Sequence, residues 1–200
     1  MVDEQLLARD VTDERVLDAM RRVPRHEFVP EGSAHEAYAD TPLPIGHGAT
    51  ISQPYIVALM AQSLTLEPSD RVLEVGTGWG YAAAVLSELA EHVTTVECVA
   101  ALAEQARARL APRAERVEVV HADGSLGHPP NAPYDAITVA AAGPSIPEPL
   151  LEQLAPGGRL VMPVGRGGQQ LTLVVRSQQG DRTETLLPVR FVPLTGQFGV

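Results

Sequence analysis

The chain has 200 residues, of which 44% are hydrophobic and 20% are charged, and this composition is typical of one globular domain with a full core. Its formal net charge of −10 leaves no basic surplus for binding phosphates, which argues against a nucleic-acid partner and an anionic membrane. Cys98 is the single cysteine, so an internal disulfide and a cysteine-based zinc site are excluded. The N-terminus has no signal pattern and no apolar run reaches the length of a membrane span, so we expect a cytoplasmic protein.

Two helices are predicted in the first third of the chain. The first follows Thr12, a capping residue, and ends at Pro24. Residues 24–50 contain many Pro, Gly and His without a period, which predicts an ordered loop of unusual length and hints at function. Ser52 is predicted to cap the second helix, with Pro54 in its first turn.

From residue 71 the sequence alternates between strand and helix patterns. Strands are predicted at 71–75, 92–97, 117–121, 134–139 and 159–164, and helices at 81–90, 100–110 and 147–154. The alternation indicates an α/β fold with a Rossmann-like, doubly wound, mainly parallel sheet. Two later β-rich segments, 170–177 and 184–192, predict an antiparallel C-terminal hairpin at the sheet edge.

We expect one domain with three regions. Residues 1–66 form an N-terminal helical and substrate-loop region, 67–168 a cofactor-binding core, and 169–200 a C-terminal β region.

The most informative motif follows the first core strand. Its pattern is E-x-G-x-G-x-G, which differs from the dinucleotide spacing G-x-G-x-x-G and favours S-adenosylmethionine over a nicotinamide cofactor. Glycines here let the backbone turn sharply and let a ligand lie against the main chain. The candidate cofactor-binding residues of this turn are Glu74, Gly76, Thr77, Gly78 and Gly80.

Two acidic residues at the ends of later strands complete the predicted cofactor site. Glu97 closes the second core strand, where a carboxylate accepts hydrogen bonds from ribose hydroxyls, although a solvated strand end has the same pattern. Asp123, followed by Gly124, is placed to accept the adenine amino group, but Asp-Gly is also a common turn pair. Glu74 either orients the ligand's amino group or pairs with a backbone donor.

Ser52 is the candidate catalytic residue. A serine before a proline-started helix is commonly only a cap, yet the free N–H groups of a helix start also bind a carboxylate. No pair of histidines has metal-ligand spacing, so no metal is predicted. A G-x-S-x-G elbow is also absent, which removes the hydrolase interpretation.

Several blocks together resemble the protein-L-isoaspartate (D-aspartate) O-methyltransferase family. Beside the glycine turn, the resemblance rests on VPRHEFVP at 23–30, AYAD at 37–40, LPIGHGATISQPY at 43–55, PYDAI at 133–137, PGG at 156–158, PVG at 163–165 and RFVPL at 190–194. It runs in one order from about Val11 onwards. The block around Ser52 is specific to this family, whereas the glycine turn is shared by most class I methyltransferases.

The resemblance implies the repair of aged proteins. Members transfer a methyl group from S-adenosylmethionine, leaving S-adenosyl-L-homocysteine, to the α-carboxylate of L-isoaspartyl residues, and the ester then closes to a succinimide. Ser52 would lie beside the methyl donor and this carboxylate, Glu97 would hold the ribose, and Asp123 with Gly124 the adenine. The implied substrate-binding residues are His47, Thr50, Ile51, Tyr55 and Val192.

Three positions depart from the family pattern. Trp79 and Ala140 replace a usual serine and threonine, and Ala122 stands where glycine is common. The first two bear on the substrate more than on the cofactor. The alternatives are therefore a related methyltransferase acting on a carboxylate of a dedicated peptide, and a donor-binding adaptor without activity. The expected partners are isoaspartyl proteins and peptides, not nucleic acid or membrane, and the protein is expected to be a monomer.

The chemistry needs no general base, because a carboxylate is already ionised at neutral pH. Catalysis is expected to rest on alignment and desolvation of the acceptor. This expectation agrees with a sequence that carries no catalytic dyad or triad.

Overall fold

The computed structural model describes residues 1–200, and its first elements are short helices and a small hairpin. A π-helical turn at Val2–Leu7, which the sequence did not predict, precedes helix α1 (Glu14–Arg22). Strands β1 (Leu43–Gly46) and β2 (Ala49–Ile51) pair antiparallel. Helix α2 (Pro54–Ser63) follows at once and is buried along most of its length.

The rest of the chain alternates between strands and helices as predicted. The elements are β3 (Arg71–Val75), α3 (Tyr81–Leu86), β4 (His92–Glu97), α4 (Ala100–Leu110), β5 (Val117–His121), β6 (Tyr134–Val139), α5 (Glu148–Glu152), β7 (Leu154–Val164), β8 (Gln169–Val175) and β9 (Arg182–Val189). Four of the predicted strands and helix α4 have the predicted bounds.

The seven core strands form one sheet in the order β5-β4-β3-β6-β7-β8-β9. Strands β3 to β7 are parallel, and β8 and β9 add antiparallel to one edge. The predicted mainly parallel sheet with an antiparallel C-terminal hairpin is confirmed. Because the strand order reverses between β3 and its two neighbours β4 and β6, a crevice opens at their carboxyl ends, which is where ligands bind in such sheets.

Both faces of the sheet are covered, since neighbouring residues of a strand point to opposite sides. Val72 and Val93 join the cluster that includes helices α1 to α4, whereas Leu73 and Val96 belong to the cluster under α5. The parallel strands are therefore mostly apolar at consecutive positions, which is typical of a sheet buried on both faces. None of the helices combines the length and apolar composition that a membrane span needs.

Several local predictions were wrong. The cap of α1 is Asp13 and not Thr12, because the Asp13 carboxylate accepts hydrogen bonds from the amides of Arg15 and Val16. The N-cap of α2 is Gln53 and not Ser52, and no side chain of the cap bonds to the helix. The segment 24–50, predicted as a loop, contains 3-10 turns and the β1–β2 hairpin.

Two helices are shorter than predicted and one strand is longer. Helix α3 ends at Leu86, where the Ser87 hydroxyl donates to the carbonyl oxygen of Ala84 at 2.8 Å and the chain continues in turns. Helix α5 covers only Glu148–Glu152. Strand β7 begins at Leu154, because that residue pairs with Tyr134 before an irregularity in the register.

Candidate active site

The glycine turn joins the carboxyl end of β3 to helix α3 through three residues in the left-handed region. Gly76, Gly78 and Gly80 have φ angles of +94°, +56° and +95°. A Cβ atom on Gly78 would lie 2.9 Å from the side chain of Ile45, and one on Gly80 would lie 2.6 Å from that of Leu110. Only glycine fits both this backbone conformation and the close approach of these side chains, so the turn exposes main-chain atoms to the crevice.

Glu97 connects the end of β4 to this turn. Its Oε2 atom accepts a hydrogen bond from the Gly78 amide at 2.8 Å, and its Oε1 atom accepts one from the Val99 amide at 3.0 Å. The side chain is almost fully buried and borders a cavity at the crevice. Oε1 also accepts a weak hydrogen bond from the Cys98 thiol at 3.7 Å, and the second lone pair of Oε2 leaves acceptor capacity for a ligand.

That space, the main cavity, has a volume of about 250 Å³ and is mostly apolar in its lining. It contains seven of the residues predicted from the sequence, namely His47, Thr50, Gly76, Gly78, Glu97, Gly124 and Val192. It also contains Ala140 and the end of the block at 190–194, which the sequence pointed to, and residues that the sequence reasoning missed, among them Cys98, Leu102 and Thr195. The β1–β2 hairpin and the segment after β9 therefore form its outer walls.

Four predicted cofactor residues, Glu74, Thr77, Gly80 and Asp123, lie outside the main cavity. Gly80 is the N-cap of α3 and faces the core through Leu110. Asp123 Oδ1 accepts hydrogen bonds from the amide and hydroxyl of Ser125, and Oδ2 accepts one from the Gln197 amide at 2.8 Å. Burial alone would raise the pKa of Asp123, but these hydrogen bonds outweigh it and hold the pKa below its ordinary value.

Glu74 is the most deeply buried acid near the turn. Its Oε2 atom accepts a hydrogen bond from the Thr95 hydroxyl at 2.5 Å, and the Thr77 hydroxyl lies 2.6 Å from that of Thr95. Burial raises the pKa of Glu74 to about 8; the Thr95 hydrogen bond lowers it and the charge of Glu97 raises it further. At neutral pH this carboxyl group is therefore largely protonated.

Ser52 lies where the enclosed spaces meet. It lines a small cavity of about 40 Å³ together with Ile51, Glu74 and Thr77, and it also lines an open groove of about 540 Å³. The hydroxyl and the amide of Ser52 bond to no other protein atom, and neither does the amide of Gln53. Three donors at this point are thus available to an acceptor group.

The helix start beside Ser52 is less open than the sequence predicted. Asp40 Oδ1 accepts a hydrogen bond from the Tyr55 amide at 2.9 Å, so an internal carboxylate already occupies that donor of α2. Asp40 Oδ2 in turn accepts hydrogen bonds from Arg9 at 3.1 Å and from the Gln53 side chain at 3.4 Å. An anion that approaches here has to bind to Ser52 and the Gln53 amide.

The groove and the cavities form one connected site. Thr50 and Ala140 border the main cavity, the small cavity and the groove, and Val192 is shared by the main cavity and the groove. Tyr55 lies on the groove wall. The arrangement places a ligand bound on the glycine turn next to a second ligand bound in the groove, with Ser52 between them.

Trp79 lies inside the glycine turn and lines the small cavity. The guanidinium carbon of Arg109, from α4, lies 3.8 Å from the centroid of its ring. This cation–π contact holds the indole in place. The indole itself stands where the family pattern has a small side chain. No group of three or more His, Cys, Asp or Glu side chains is placed to hold a metal ion.

Sequence reasoning missed Arg9 and Asp40, although the block AYAD at 37–40 was recognised as part of a motif. Asp40 reaches α2 from 15 positions away, so no local capping rule identifies it. Thr195 carries no chemical signal of its own, and only its position in the fold brings it to the cavity.

Known proteins share both the sequence and the fold. The family model "Protein-L-isoaspartate(D-aspartate) O-methyltransferase (PCMT)" matches residues 1–199. The chain is 55% identical to the protein-L-isoaspartate O-methyltransferase of Methanoregula boonei, over the whole of this chain and 93% of the relative. It is 56% identical to protein-L-isoaspartate O-methyltransferase 1 of Rhodopseudomonas palustris strain HaA2, over the whole of this chain and 83% of the relative.

The chain belongs to the protein-L-isoaspartate (D-aspartate) O-methyltransferase family. Its enzyme class is therefore that of the S-adenosylmethionine-dependent protein carboxyl methyltransferases.

Solved structures of this family have the same fold. One, a protein-L-isoaspartate O-methyltransferase, gives a TM-score of 0.86 at 31% identity over 94% of this chain, which spans 63% of that longer chain. Another comes from Plasmodium falciparum in complex with S-adenosyl-L-homocysteine and gives a TM-score of 0.85 at 27% identity, over 97% of this chain and 96% of the other. The predicted class I methyltransferase fold is thus confirmed.

Proposed function

We propose that this chain transfers a methyl group from S-adenosylmethionine to the α-carboxylate of L-isoaspartyl residues in damaged proteins, which starts their repair through a succinimide. The observation that carries the proposal is the position of Ser52. Its unbonded hydroxyl and amide stand between the main cavity, which is built on the glycine turn, and the open groove. A carboxylate bound there lies next to a ligand of the turn.

The residues of the main cavity fit the methyl donor. Gly76 and Gly78 present bare backbone, and Glu97 presents acceptor oxygens for the ribose hydroxyls. Gly124 borders the end where the adenine fits. Asp123, which precedes Gly124, is the proposed acceptor for the adenine amino group, and its carboxylate also accepts a hydrogen bond from the Gln197 amide. S-adenosylmethionine supplies an activated methyl group on a sulfonium.

A further part of the donor site is the hydroxyl chain next to the small cavity. Thr77 lines that cavity, and Thr95 links its hydroxyl to the carboxyl group of Glu74. These hydroxyl groups can each donate or accept a hydrogen bond. Glu74 can therefore accept a hydrogen bond as a carboxylate, or donate its own proton when it is protonated. Glu74 can in this way be neutral or ionised beside the amino group of S-adenosylmethionine.

The acceptor is held by the other side of the site. The Ser52 hydroxyl and the amides of Ser52 and Gln53 donate to the acceptor carboxylate, which is ionised at neutral pH and needs no base. Apolar groove walls such as Ile56 and Val192 remove water from it. Catalysis consists of positioning the carboxylate oxygen in line with the methyl group, at roughly 3 Å.

The peptide around the acceptor occupies the groove. Tyr55 and Val192 border the groove, Thr50 separates it from the main cavity, and His47 and Ile51 belong to the hairpin that covers the turn. Isoaspartyl proteins and peptides are the partners. We expect the chain to work as a monomer in the cytoplasm, without nucleic acid or membrane.

A pair of matched peptides tests the function. The purified chain is incubated with labelled S-adenosylmethionine and a peptide that contains either L-isoaspartate or L-aspartate at one position. Label should pass only to the isoaspartyl peptide, as a base-labile ester. Equal labelling of both peptides would indicate a methyltransferase with another acceptor, and binding of S-adenosylhomocysteine without any labelling would indicate an adaptor.

A further inference from the structure

The groove beside Ser52 has cations in its wall and no carboxylate. Its charged lining residues are Arg9, from the N-terminal segment, and Arg190, which directly follows strand β9. The chain as a whole carries a net charge of −10. The charged residues of the groove wall are therefore positive in a protein that is negative overall. The two ends of the groove differ in whether this positive charge is compensated.

The Arg9 end of the groove is compensated. Arg9 donates to Asp40 at 3.1 Å, and its guanidinium carbon lies 3.3 Å from the centroid of the Tyr55 ring. Burial raises the pKa of Tyr55, and the carboxylate of Asp10 raises it further, so a second acid faces this end. Two acids and one cation leave no positive charge for a ligand.

The Arg190 end carries an uncompensated charge on a fixed backbone. The Arg190 side chain is exposed and takes part in no ion pair or hydrogen bond of the structure. The next residue is held at both its polar groups, because Gln169 Oε1 accepts from the Phe191 amide at 2.6 Å and Gln169 Nε2 donates to the Phe191 carbonyl at 3.1 Å. The backbone next to Arg190 is thus fixed at the groove wall, while the guanidinium remains unpaired.

We propose, on the basis of the function proposed above, that Arg190 makes the enzyme prefer isoaspartyl sites with an acidic side chain on one flank. The acceptor carboxylate is fixed at Ser52, so the peptide runs from there towards Arg190 on one side and towards Arg9 and Asp40 on the other. An acidic residue on the first flank pairs with a free cation. On the second flank it meets a cation that Asp40 already neutralises.

The expected effect is modest and depends on salt. An exposed ion pair of this kind changes kcat/KM by up to about fivefold. The effect should shrink as the ionic strength rises, since exposed charges are screened over about 10 Å at 0.1 M salt.

Peptides that differ only in their flanks test the proposal. One peptide carries Glu on the N-terminal side of the isoaspartate, one carries Glu on the C-terminal side, and the reference carries Gln on both. The enzymes are the wild type, Arg190→Gln, Arg190→Lys and the control Arg182→Gln. Arg182 lies exposed at the far end of β9, more than about 20 Å from Arg190 at the rise of a strand.

In the wild type, one of the two Glu peptides should have a higher kcat/KM than the reference. That ratio should fall to about one in Arg190→Gln and persist in Arg190→Lys and Arg182→Gln. A ratio of one in the wild type, or a ratio that Arg190→Gln leaves unchanged, overturns the proposal and leaves the methyltransferase function intact. If no isoaspartyl peptide is methylated at all, the proposed function fails and this preference fails with it.

Discussion

The carboxylate of Glu97 accepts a hydrogen bond from the amide of Gly78 at 2.8 Å, so the end of strand β4 is tied to the glycine turn after β3. One side chain in this way fixes the backbone that the donor approaches and presents acceptor oxygens to the same cavity. Its second bond, from the Val99 amide, keeps both oxygens oriented. The role of Glu97 in donor binding can therefore be tested without changing its shape.

Glu97→Gln should weaken the binding of S-adenosylhomocysteine by about tenfold or more, because hydrogen bonds to a charged acceptor are worth about 1.5–3 kcal/mol. The amide NH₂ of the variant also faces a backbone donor, either Gly78 or Val99. Isothermal titration calorimetry measures the change. Glu104→Gln, exposed on α4, removes the same charge and should bind like the wild type. Equal affinity in both variants would contradict the role of Glu97.

Ser52→Ala should slow methyl transfer by about 10- to 100-fold, because it removes a hydrogen bond to the ionised acceptor. The affinity for S-adenosylhomocysteine should change little, since Ser52 does not line the main cavity. Steady-state kinetics with an isoaspartyl peptide and calorimetry with the product measure the two effects. The control is Ser63→Ala, at the other end of α2, where the hydroxyl bonds to the Leu59 carbonyl. Full turnover in Ser52→Ala would refute the assignment.

The buried carboxyl of Glu74 should make the stability depend on pH. Burial raises its pKa from 4.5 to about 8, so between these values the folded state binds more protons than the unfolded state. The contribution of Glu74 is fully present below the lower value and is lost as the pH rises through the upper one. The slope is at most about 1.4 kcal/mol per pH unit for one proton.

Glu74→Gln keeps the acceptor for Thr95 and cannot ionise, so its free energy of unfolding should decrease less than that of the wild type between about pH 5 and about pH 8. Urea denaturation at both pH values measures this difference. Glu104→Gln should retain the pH dependence of the wild type. Parallel curves for the wild type and Glu74→Gln would show that Glu74 does not titrate in this window.

Gly80→Ala should destabilise the fold by at least about 1–3 kcal/mol, the cost of a left-handed backbone in a residue with a side chain. The added carbon would also lie 2.6 Å from Leu110 in the core. Gly167→Ala adds the same carbon where no atom lies within 4 Å, and it should be close to neutral. Thermal and urea unfolding compare the two variants, and an equal loss of stability in both would count against this explanation.

The parallel core was predictable because local signals decide it. Strands β3, β4, β5 and β6 are apolar runs rich in β-branched residues, and their bounds match the prediction. The β1–β2 hairpin was missed because strands of four and three residues are too short to show a period. The start of β7 was hidden by Pro156 and two glycines, which interrupt its strand pattern.

The site was predictable where a residue follows a strand and unpredictable where it depends on distant contacts. Gly76 and Glu97, which were predicted from their place at strand ends, line the main cavity. Asp123 has the same pattern, but a segment more than 70 positions later bonds to its carboxylate. Asp40 accepts a hydrogen bond from the Tyr55 amide, although the local pattern predicted that the amides of this helix start would be free for a ligand. A carboxylate can cap a helix from any part of the chain, so the local sequence does not show this contact.

Trp79 has a practical consequence. The sequence contains one tryptophan, and the fold puts its indole in the turn that approaches the donor, against the guanidinium of Arg109. All indole emission from the protein consequently originates at the candidate active site. A fluorescence titration of the unlabelled enzyme should therefore follow the binding of S-adenosylmethionine or S-adenosylhomocysteine. Stopped-flow mixing should give the association and dissociation rates of the ligand.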